Sequence, residues 1–398
     1  MTMILLPVLL LLWGVPLSTA TGRLRRFYSI DSRMLINEAR NVCRSNYTDL
    51  VTIYDEEENN ELIGILKNNT NSVSGWIGAS SCKWSNGELV TFTNYSATFN
   101  EEKCCGVINT DGRWDCINCT STKKYFMCYD QGLGQQSYNY SLIRENRSWF
   151  EAQMYCRENH TDLVTIRDEE ENDRVKEARN GSDSFWIGLQ YNNSLDWFDG
   201  GYSDYKQNSS SQGCFTYLSS HKNNTQGGHW FKANNGSYSA LCYKSFIHVS
   251  EKNMSWEDAR HYCDCNFSGL LRIESENDQI ETERELKRRN ISGPVWVGLK
   301  EIRLWTWTSG LQVVNWSNWK EGSQPENEHC GAIEKVDGRY KWCAKNCTMK
   351  YRVLCEMKQG QSDHFKSGGA RMSSIIPGVF SSAEFTGFCL IGLIYYYV

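Results

Sequence analysis

The sequence predicts an α+β chain of three tandem, disulfide-held modules, and three observations carry that expectation. One segment pattern recurs three times, cysteines are far denser than a reducing compartment tolerates, and each repeat reads as two helices followed by short strands. With 398 residues, the length suits several cores rather than one large one, since domains run to about 100 to 200 residues.

The segments NEARNVCRSNYTDLVTIYDEEEN, FEAQMYCRENHTDLVTIRDEEEN and WEDARHYCDCNFSGLLRIESEND align on their cysteines without a gap. Isoleucine follows each cysteine by ten residues, at Ile53 after Cys43, Ile166 after Cys156 and Ile273 after Cys263. Trp-[Ile/Val]-Gly comes next, at Trp76, Trp186 and Trp296, which stand 33, 30 and 33 residues beyond those cysteines, so only loop lengths differ. Taken in order, the first element of each repeat is a helix. Trp149, Ala152 and Cys156 recur at helical spacing, as do Trp256, Ala259 and Cys263, with Ile36, Ala39 and Cys43 in the first copy. Such a stripe buries one helix face and delivers the cysteine to the core. A short apolar strand, LVTI or LLRI, comes second. A second helix then starts at Asp55 with Glu58, Asp168 with Glu171, and Ser275 with Asp278, the first residue capping free amides and the acidic one favoured by the amino-terminal dipole. These acidic clusters are read as first helical turns rather than metal ligands. Short strands around the Trp-x-Gly signal complete each repeat.

The cysteine-bearing first helix, the second helix, WIG or WVG, and late cysteines around a tryptophan resemble the C-type lectin-like domain. Their tandem arrangement is similar to ectodomains of mannose-receptor-like proteins, and the resemblance runs from Arg26 to Glu356. It implies three α+β domains, each with two helices, small antiparallel sheets and a long loop region that carries ligand contacts. The expected bounds are 26–130, 136–244 and 245–357, between a signal peptide at 1–20 and a polar linker with a hydrophobic tail at 358–398.

The resemblance also implies a cysteine pairing, first helix to last strand with a second pair beside the long loop. It gives Cys43 with Cys128 and Cys105 with Cys119 in the first module, Cys156 with Cys242 in the second, and Cys263 with Cys355 and Cys330 with Cys347 in the third. The middle module departs from the pattern, because Asn235 stands where a partner for Cys214 is expected, five residues after Trp230. Cys82, Cys104 and Cys116 are left over in the first module, an odd number, so parity permits a bridge from Cys214 to that module; a free or intermolecular Cys214 is equally open. The even remainder of the third module, Cys265 and Cys343, is expected as one additional bridge.

Sugar-binding members of this family hold calcium with a Glu-Pro-Asn or Gln-Pro-Asp motif, a later Glu, and an Asn-Asp pair after a tryptophan. Calcium takes about 6 to 8 oxygen ligands. Only the third module retains something similar, in Gln324-Pro325-Glu326 with Asn327 and Glu328, which makes Gln324, Glu326, Asn327 and Glu328 the candidate ligand contacts. Glu326, Asn327 and Glu328 are the candidate metal ligands. The position of the Asn-Asp pair after Trp342 reads Cys343-Ala344, so any calcium site there is eroded. The first module keeps Asp115 after Trp114 without the proline motif, and the second has Phe231 and Lys232 after Trp230, where a cation meets like charge.

Other function classes recede. Net charge is −5 with no long basic run, which argues against nucleic acid. His221, His229 and His329 lack the spacing of a zinc site, and GxSxG, HExxH and phosphate-loop motifs are absent, so catalysis is not expected. Sixteen of the 17 cysteines lie from Cys43 to Cys355, and acceptor tripeptides are dense, those at Asn46, Asn94, Asn146, Asn159, Asn208, Asn253, Asn290 and Asn315 being examples, as in an extracellular glycoprotein. The amino-terminal apolar stretch ends in Ser18 and Ala20, as a cleaved signal peptide does. The tail after Glu356 reads as a lipid-anchor signal, a short membrane segment or a secreted end. Trp305, Trp307, Trp316 and Trp319 crowd the third module, as core or as a ligand surface. Three roles follow as expectations: carbohydrate binding through a weakened calcium site in the third module, calcium-independent protein recognition, or a glycan-bearing spacer.

Overall fold

The computed structural model describes residues 22–70, 72–95, 103–132, 138–207, 211–220, 229–301, 304–308, 312–314, 316–320 and 329–358. Its contacts form two compact units, Met1–Lys244 and Ser245–Val398. The first unit opens with β1 (Arg25–Met34), α1 (Ile36–Asn46), β2 (Asp49–Leu50), α2 (Glu56–Lys67), β3 (Ser74–Trp84), β4 (Cys104–Ile108), β5 (Trp114–Ile117) and β6 (Lys124–Gln131). It repeats the order in β7 (Tyr138–Arg147), α3 (Trp149–Asn159), β8 (Asp162–Leu163), α4 (Glu169–Ala178), β9 (Phe185–Trp197), β10 (Phe215–Ser219), β11 (His229–Ala233) and β12 (Tyr238–Ser245). The second unit holds β13 (Ile247–Val249), α5 (Trp256–Asn266), α6 (Glu276–Arg288), β14 (Val295–Glu301), β15 (Trp305–Trp307), β16 (Gln312–Val313), β17 (His329–Val336), β18 (Arg339–Asn346) and β19 (Arg352–Glu356).

Local structure follows the sequence pattern closely. The helical stripes Ile36, Ala39, Cys43; Trp149, Ala152, Cys156; and Trp256, Ala259, Cys263 are the buried faces of α1, α3 and α5. Two of these helices are fastened further by indoles, Trp149 donating to the Ile187 carbonyl at 2.8 Å and Trp256 to that of Val297 at 3.0 Å. The side chains of Asp55, Asp168 and Ser275 cap α2, α4 and α6 by accepting from the amides of Glu58, Glu171 and Asp278. The motif glycine has a steric cause. A Cβ at Gly78 would stand 2.9 Å from the Leu50 carbonyl oxygen, and one at Gly188 3.0 Å from that of Leu163. The glycine amides use that approach, donating to Val51 and Val164 at 2.8 Å each and, from Gly298, to Leu271 at 2.9 Å.

In the second unit the Trp-x-Gly strand is completed by strands of its own repeat. β14 pairs with β17, placing Trp296 opposite Ala332, and runs parallel to β19, placing Trp296 beside Val353. The first strand, β13, lies against the last, β19. In the first unit the same architecture is built twice from exchanged halves. β3 is completed by β10 and β12, with Tyr217 and Ala240 beside Trp76, while β9 is completed by β4 and β6, with Val107 and Phe126 beside Trp186. β3 and β9 cross as an antiparallel pair from Ala79 with Trp197 to Trp84 with Leu189, and this is where the two chains of strands trade places. One fold therefore joins the amino-terminal half of the first repeat to the carboxy-terminal half of the second; the other is made of the contiguous chain between them.

Two of three equivalent hydrogen bonds report the same exchange. Late in each repeat a buried tryptophan donates its indole N–H to the residue one turn past the cap of a second helix. In the second unit Trp342 reaches Gln279 of its own repeat at 2.9 Å. Trp114 instead reaches Asn172 of the second repeat at 2.9 Å, and Trp230 reaches Asn59 of the first at 2.8 Å.

The exchange corrects two expected disulfides. Cys43 is bonded to Cys242 rather than Cys128, and Cys128 to Cys156, which leaves no Cys156 to Cys242 bridge. The rule of first helix to last strand is kept, but each helix takes the last strand of the other repeat. A short connection is the physical reason: β6 and β7 are joined through residues 132–137 and fold as a hairpin with Gln131 opposite Tyr138, so Cys128 is delivered to the helix that follows it. Cys82 pairs with Cys214 and Cys104 with Cys116, which settles the odd remainder in favour of a bridge between repeats. Cys105–Cys119, Cys263–Cys355 and Cys330–Cys347 are formed as the resemblance implied.

Non-reducing peptide mapping of the oxidised chain is expected to recover Cys43 linked to Cys242 and Cys128 linked to Cys156; a peptide joining Cys43 to Cys128 would show that the halves are not exchanged. A double-mutant cycle adds a non-covalent check. Trp114→Phe and Asn172→Ala should couple by about 1 kcal/mol, the net worth of a buried hydrogen bond, while Trp114→Phe and Asn59→Ala should be additive.

Candidate functional site

The late strands of the third repeat carry a cluster of tryptophans. β17 and β18 form a hairpin in register from His329 opposite Asn346 to Val336 opposite Arg339. Trp342, fully buried on β18, is the hub of an aromatic cluster. Trp307, Trp316 and Trp319 meet its ring edge-on at 5.5, 5.5 and 5.6 Å, and Trp305 lies tilted on Trp319 at 4.6 Å. Trp307 is buried with the hub, whereas Trp305, Trp316 and Trp319 are half-buried. Leu304, which precedes Trp305 in the chain, is 63 % exposed. The cluster is thus both core and surface, anchored at Trp342 and open on its rim.

Behind this surface the expected ligand positions have changed character. Cys343 follows Trp342 as a buried free thiol that donates to the Ala332 carbonyl at 3.5 Å. The expected bridge to Cys265 is therefore absent, and Cys265 is disulfide-bonded elsewhere. The strand register explains this: Cys343 sits opposite Ala332 inside the β17–β18 ladder, facing the core, whereas Cys265 lies on the exposed side of α5. Burial, with the nearby Glu334 carboxylate, pushes the Cys343 thiol up to about 12. Glu334 itself is taken by an ion pair with Lys345 at 3.0 Å. Gln324, Glu326, Asn327 and Glu328, the candidate sugar and metal contacts, lie outside the described residues, as does His221. Among the described residues no group of three or more His, Cys, Asp or Glu side chains is placed to hold a metal ion.

The corresponding positions of the first unit are occupied by other contacts. Asp115 accepts from the Asn109 carboxamide, and Cys116 beside it is disulfide-bonded. Lys232 on β11 lies over the Tyr191 ring, 5.6 Å from its centroid, and burial lowers its ammonium to about 8. The exchange, the free Cys343 and the tryptophan-to-helix hydrogen bonds all escaped sequence reasoning. For the last, a signal existed: Asn59, Asn172 and Gln279 occupy one position of the aligned repeats and all carry a carboxamide.

Two predictions arise from these environments. Cys343 should resist iodoacetamide at pH 8 in the native chain and react once the chain is unfolded, since only the thiolate attacks; labelling of the native protein at the rate of a free peptide thiol would contradict the burial. Lys232 holds its proton to about 10.5 when unfolded and releases it near 8 when folded, so its burial penalty is complete below pH 8 and is relieved as pH rises. The wild-type chain should accordingly gain stability relative to Lys232→Met between pH 8 and 10, measured as the difference in Tm; a constant difference would refute the assignment.

The Lectin C-type domain family matches residues 32–130, 145–245 and 252–357. The chain is 26 % identical over 138 residues to L-selectin of Rattus norvegicus, a match covering 32 % of this chain and 36 % of that protein. It is 31 % identical over 133 residues to Snaclec A4 of Macrovipera lebetinus, covering 30 % of this chain and 80 % of the relative. Against the secretory phospholipase A2 receptor of Bos taurus it is 24 % identical over 212 residues, covering 44 % of this chain but 14 % of the receptor. The chain thus spans well under two thirds of the length of the selectin and of the receptor. Human lithostathine is a similar solved structure, with 25 % identity, a TM-score of 0.26, and coverage of 28 % of this chain and 83 % of that one.

Proposed function

We propose metal-independent recognition of a protein partner, outside the cell, for this chain, which belongs to the C-type lectin domain family through three copies of the domain. Its general class is recognition rather than catalysis. The observation that carries the finer reading is the open aromatic rim of the third domain, where Trp305, Trp316 and Trp319 stand half-exposed around a buried Trp342, with exposed Leu304 next to Trp305 in the chain. Tryptophans held by a packed base lose little side-chain freedom on binding, and such residues are enriched among those that dominate interface energies. The buried thiol at Cys343 and the Glu334–Lys345 pair support a metal-free surface, because neither offers calcium a free hard oxygen ligand.

A second reading, calcium-assisted sugar binding, rests on Gln324, Glu326, Asn327 and Glu328 and on the family name. A glycan-bearing spacer is a third. Seven disulfides between described cysteines support folding in an oxidising compartment. The same reading takes residues 1–20 as a signal peptide and the carboxy-terminal tail as a means of membrane attachment, with an organisation like part of a mannose-receptor-like ectodomain.

The test presents the full secreted chain to intact cells with and without EDTA, and to a glycan panel with added calcium. Cell binding that survives EDTA and glycosidase treatment of the cells, and falls by about tenfold or more in Trp305→Ala and Trp319→Ala, is expected, as for interface residues worth over 1 kcal/mol. EDTA-sensitive glycan binding lost in Glu326→Gln would replace this reading with the sugar-binding one. Binding unchanged by removal of the third domain would overturn both.

A further inference from the structure

A groove of about 380 Å³ on the third domain is lined by residues 290–295 and by Asn253, Tyr351 and Arg352. Two of the residues on its rim begin acceptor tripeptides, Asn253-Met254-Ser255 and Asn290-Ile291-Ser292. Both asparagines are exposed. Neither carboxamide is engaged in a hydrogen bond among the described residues, unlike Asn46 and Asn159, which donate to the Val42 and Tyr155 carbonyls. We propose that the groove seats an N-linked glycan rooted on Asn290, with the first N-acetylglucosamine lying across it against Tyr351 and Arg352.

The walls differ in kind, and that difference selects the root. On one side the backbone is fixed by the cap of α6: Asn290 donates to the Lys287 carbonyl at 3.0 Å and Ile291 to that of Leu286 at 2.9 Å. Asn290 itself takes φ 52°, a left-handed conformation that asparagine tolerates better than most residues. This is a rigid mounting for a sugar. On the other side Tyr351 and Met254 exchange backbone hydrogen bonds of 2.8 and 3.1 Å, and the Tyr351 ring packs on buried Trp296 at 4.9 Å. Arg352 stands exposed next to it.

A pyranose presents a C–H face that stacks on an aromatic ring, and its hydroxyl and acetamide oxygens accept from a guanidinium fork. The tyrosine–arginine wall offers both contacts. A glycan on Asn290 crosses the groove to reach them, while Asn253, which precedes the bridge partner of Tyr351, shares their wall. The volume is at the small end of ligand pockets, about 300 to 1,000 Å³, and both asparagines border the same groove. The groove would thus be filled by the chain's own modification and withdrawn from the recognition surface.

The experiment uses the full chain secreted from a host that adds N-glycans. Glycopeptide mass spectrometry should find Asn290 occupied, and peptide N-glycosidase under native conditions should release its glycan at least about tenfold more slowly than that of Asn146, which is exposed on β7. The two rates should converge after reduction and denaturation. Arg352→Ala and Tyr351→Ala should each restore fast native release at Asn290 without changing Asn146, and Arg352→Ala, altering an exposed side chain, tests the contact even where Tyr351→Ala fails to fold. An unoccupied Asn290, native release at the Asn146 rate, or protection found on Asn253 instead would overturn the proposal.

Discussion

Each lectin fold in this chain depends on one closure: a final strand must lie parallel to the Trp-x-Gly strand and be bonded covalently to the first helix. The three bonds that do this, Cys43–Cys242, Cys128–Cys156 and Cys263–Cys355, share a Cα separation of 5.3 to 5.4 Å, and their six sulfurs are buried. Once the strand is in place, the late tryptophan beside it can reach the carboxamide on the second helix, so the helix, the sheet and the long-loop side become one core. Domains of this size bury too little apolar surface to dispense with such staples. The closure is indifferent to which repeat supplies the strand. It requires only the right residues in the right register, and the first two repeats both satisfy it.

That indifference explains what was legible in the sequence. The helix stripes, the caps at Asp55, Asp168 and Ser275, and the Trp-x-Gly strands are local properties, set by spacing within a few turns of chain, and they appear where periodicity placed them. Partner choice is not local. KYFMCYDQ and YSALCYKS, the last strands of the first two repeats, present the same cysteine to the same kind of helix, so self-comparison assigns each strand to its own repeat by default. What breaks the tie is the short connection from Gln131 to Tyr138, which makes β6 and β7 a hairpin. Parity of cysteines carried a trace of this, since Cys214 lacked a partner at Asn235 and found one at Cys82.

The third domain shows a different limit. Its candidate contacts at Gln324 to Glu328 were chosen by resemblance to a motif and fall outside the described residues, so the site that can be built comes from elsewhere. The tryptophan cluster was visible as a concentration of residues, but its division into base and rim was not, because Trp305 and Trp307 lie two apart on one short strand, where alternation gives them the same face, yet only Trp307 is fully buried. Cys343 was drawn into a bridge by counting alone. A thiol facing inward from a hairpin strand is a packing residue, and its burial raises its pKa.

Exchange also makes the two folds of the first unit unequal. One is contiguous from Trp84 to Tyr191, and its disulfides span only 12, 14 and 28 residues. The other is closed by bonds spanning 132 and 199 residues, with the first fold inserted between its halves. Contacts between near neighbours form at lower entropic cost than contacts between distant ones, so the contiguous fold can assemble while the outer halves are still open. The outer fold then closes around a formed partner: the pairing of β3 with β9 aligns both crossing strands, and Trp230 finds Asn59 across the gap that the inserted fold has shortened. On this account the inner fold is the template for the outer one. The order follows from the six-residue connection at 132–137 rather than from any difference in the repeats themselves.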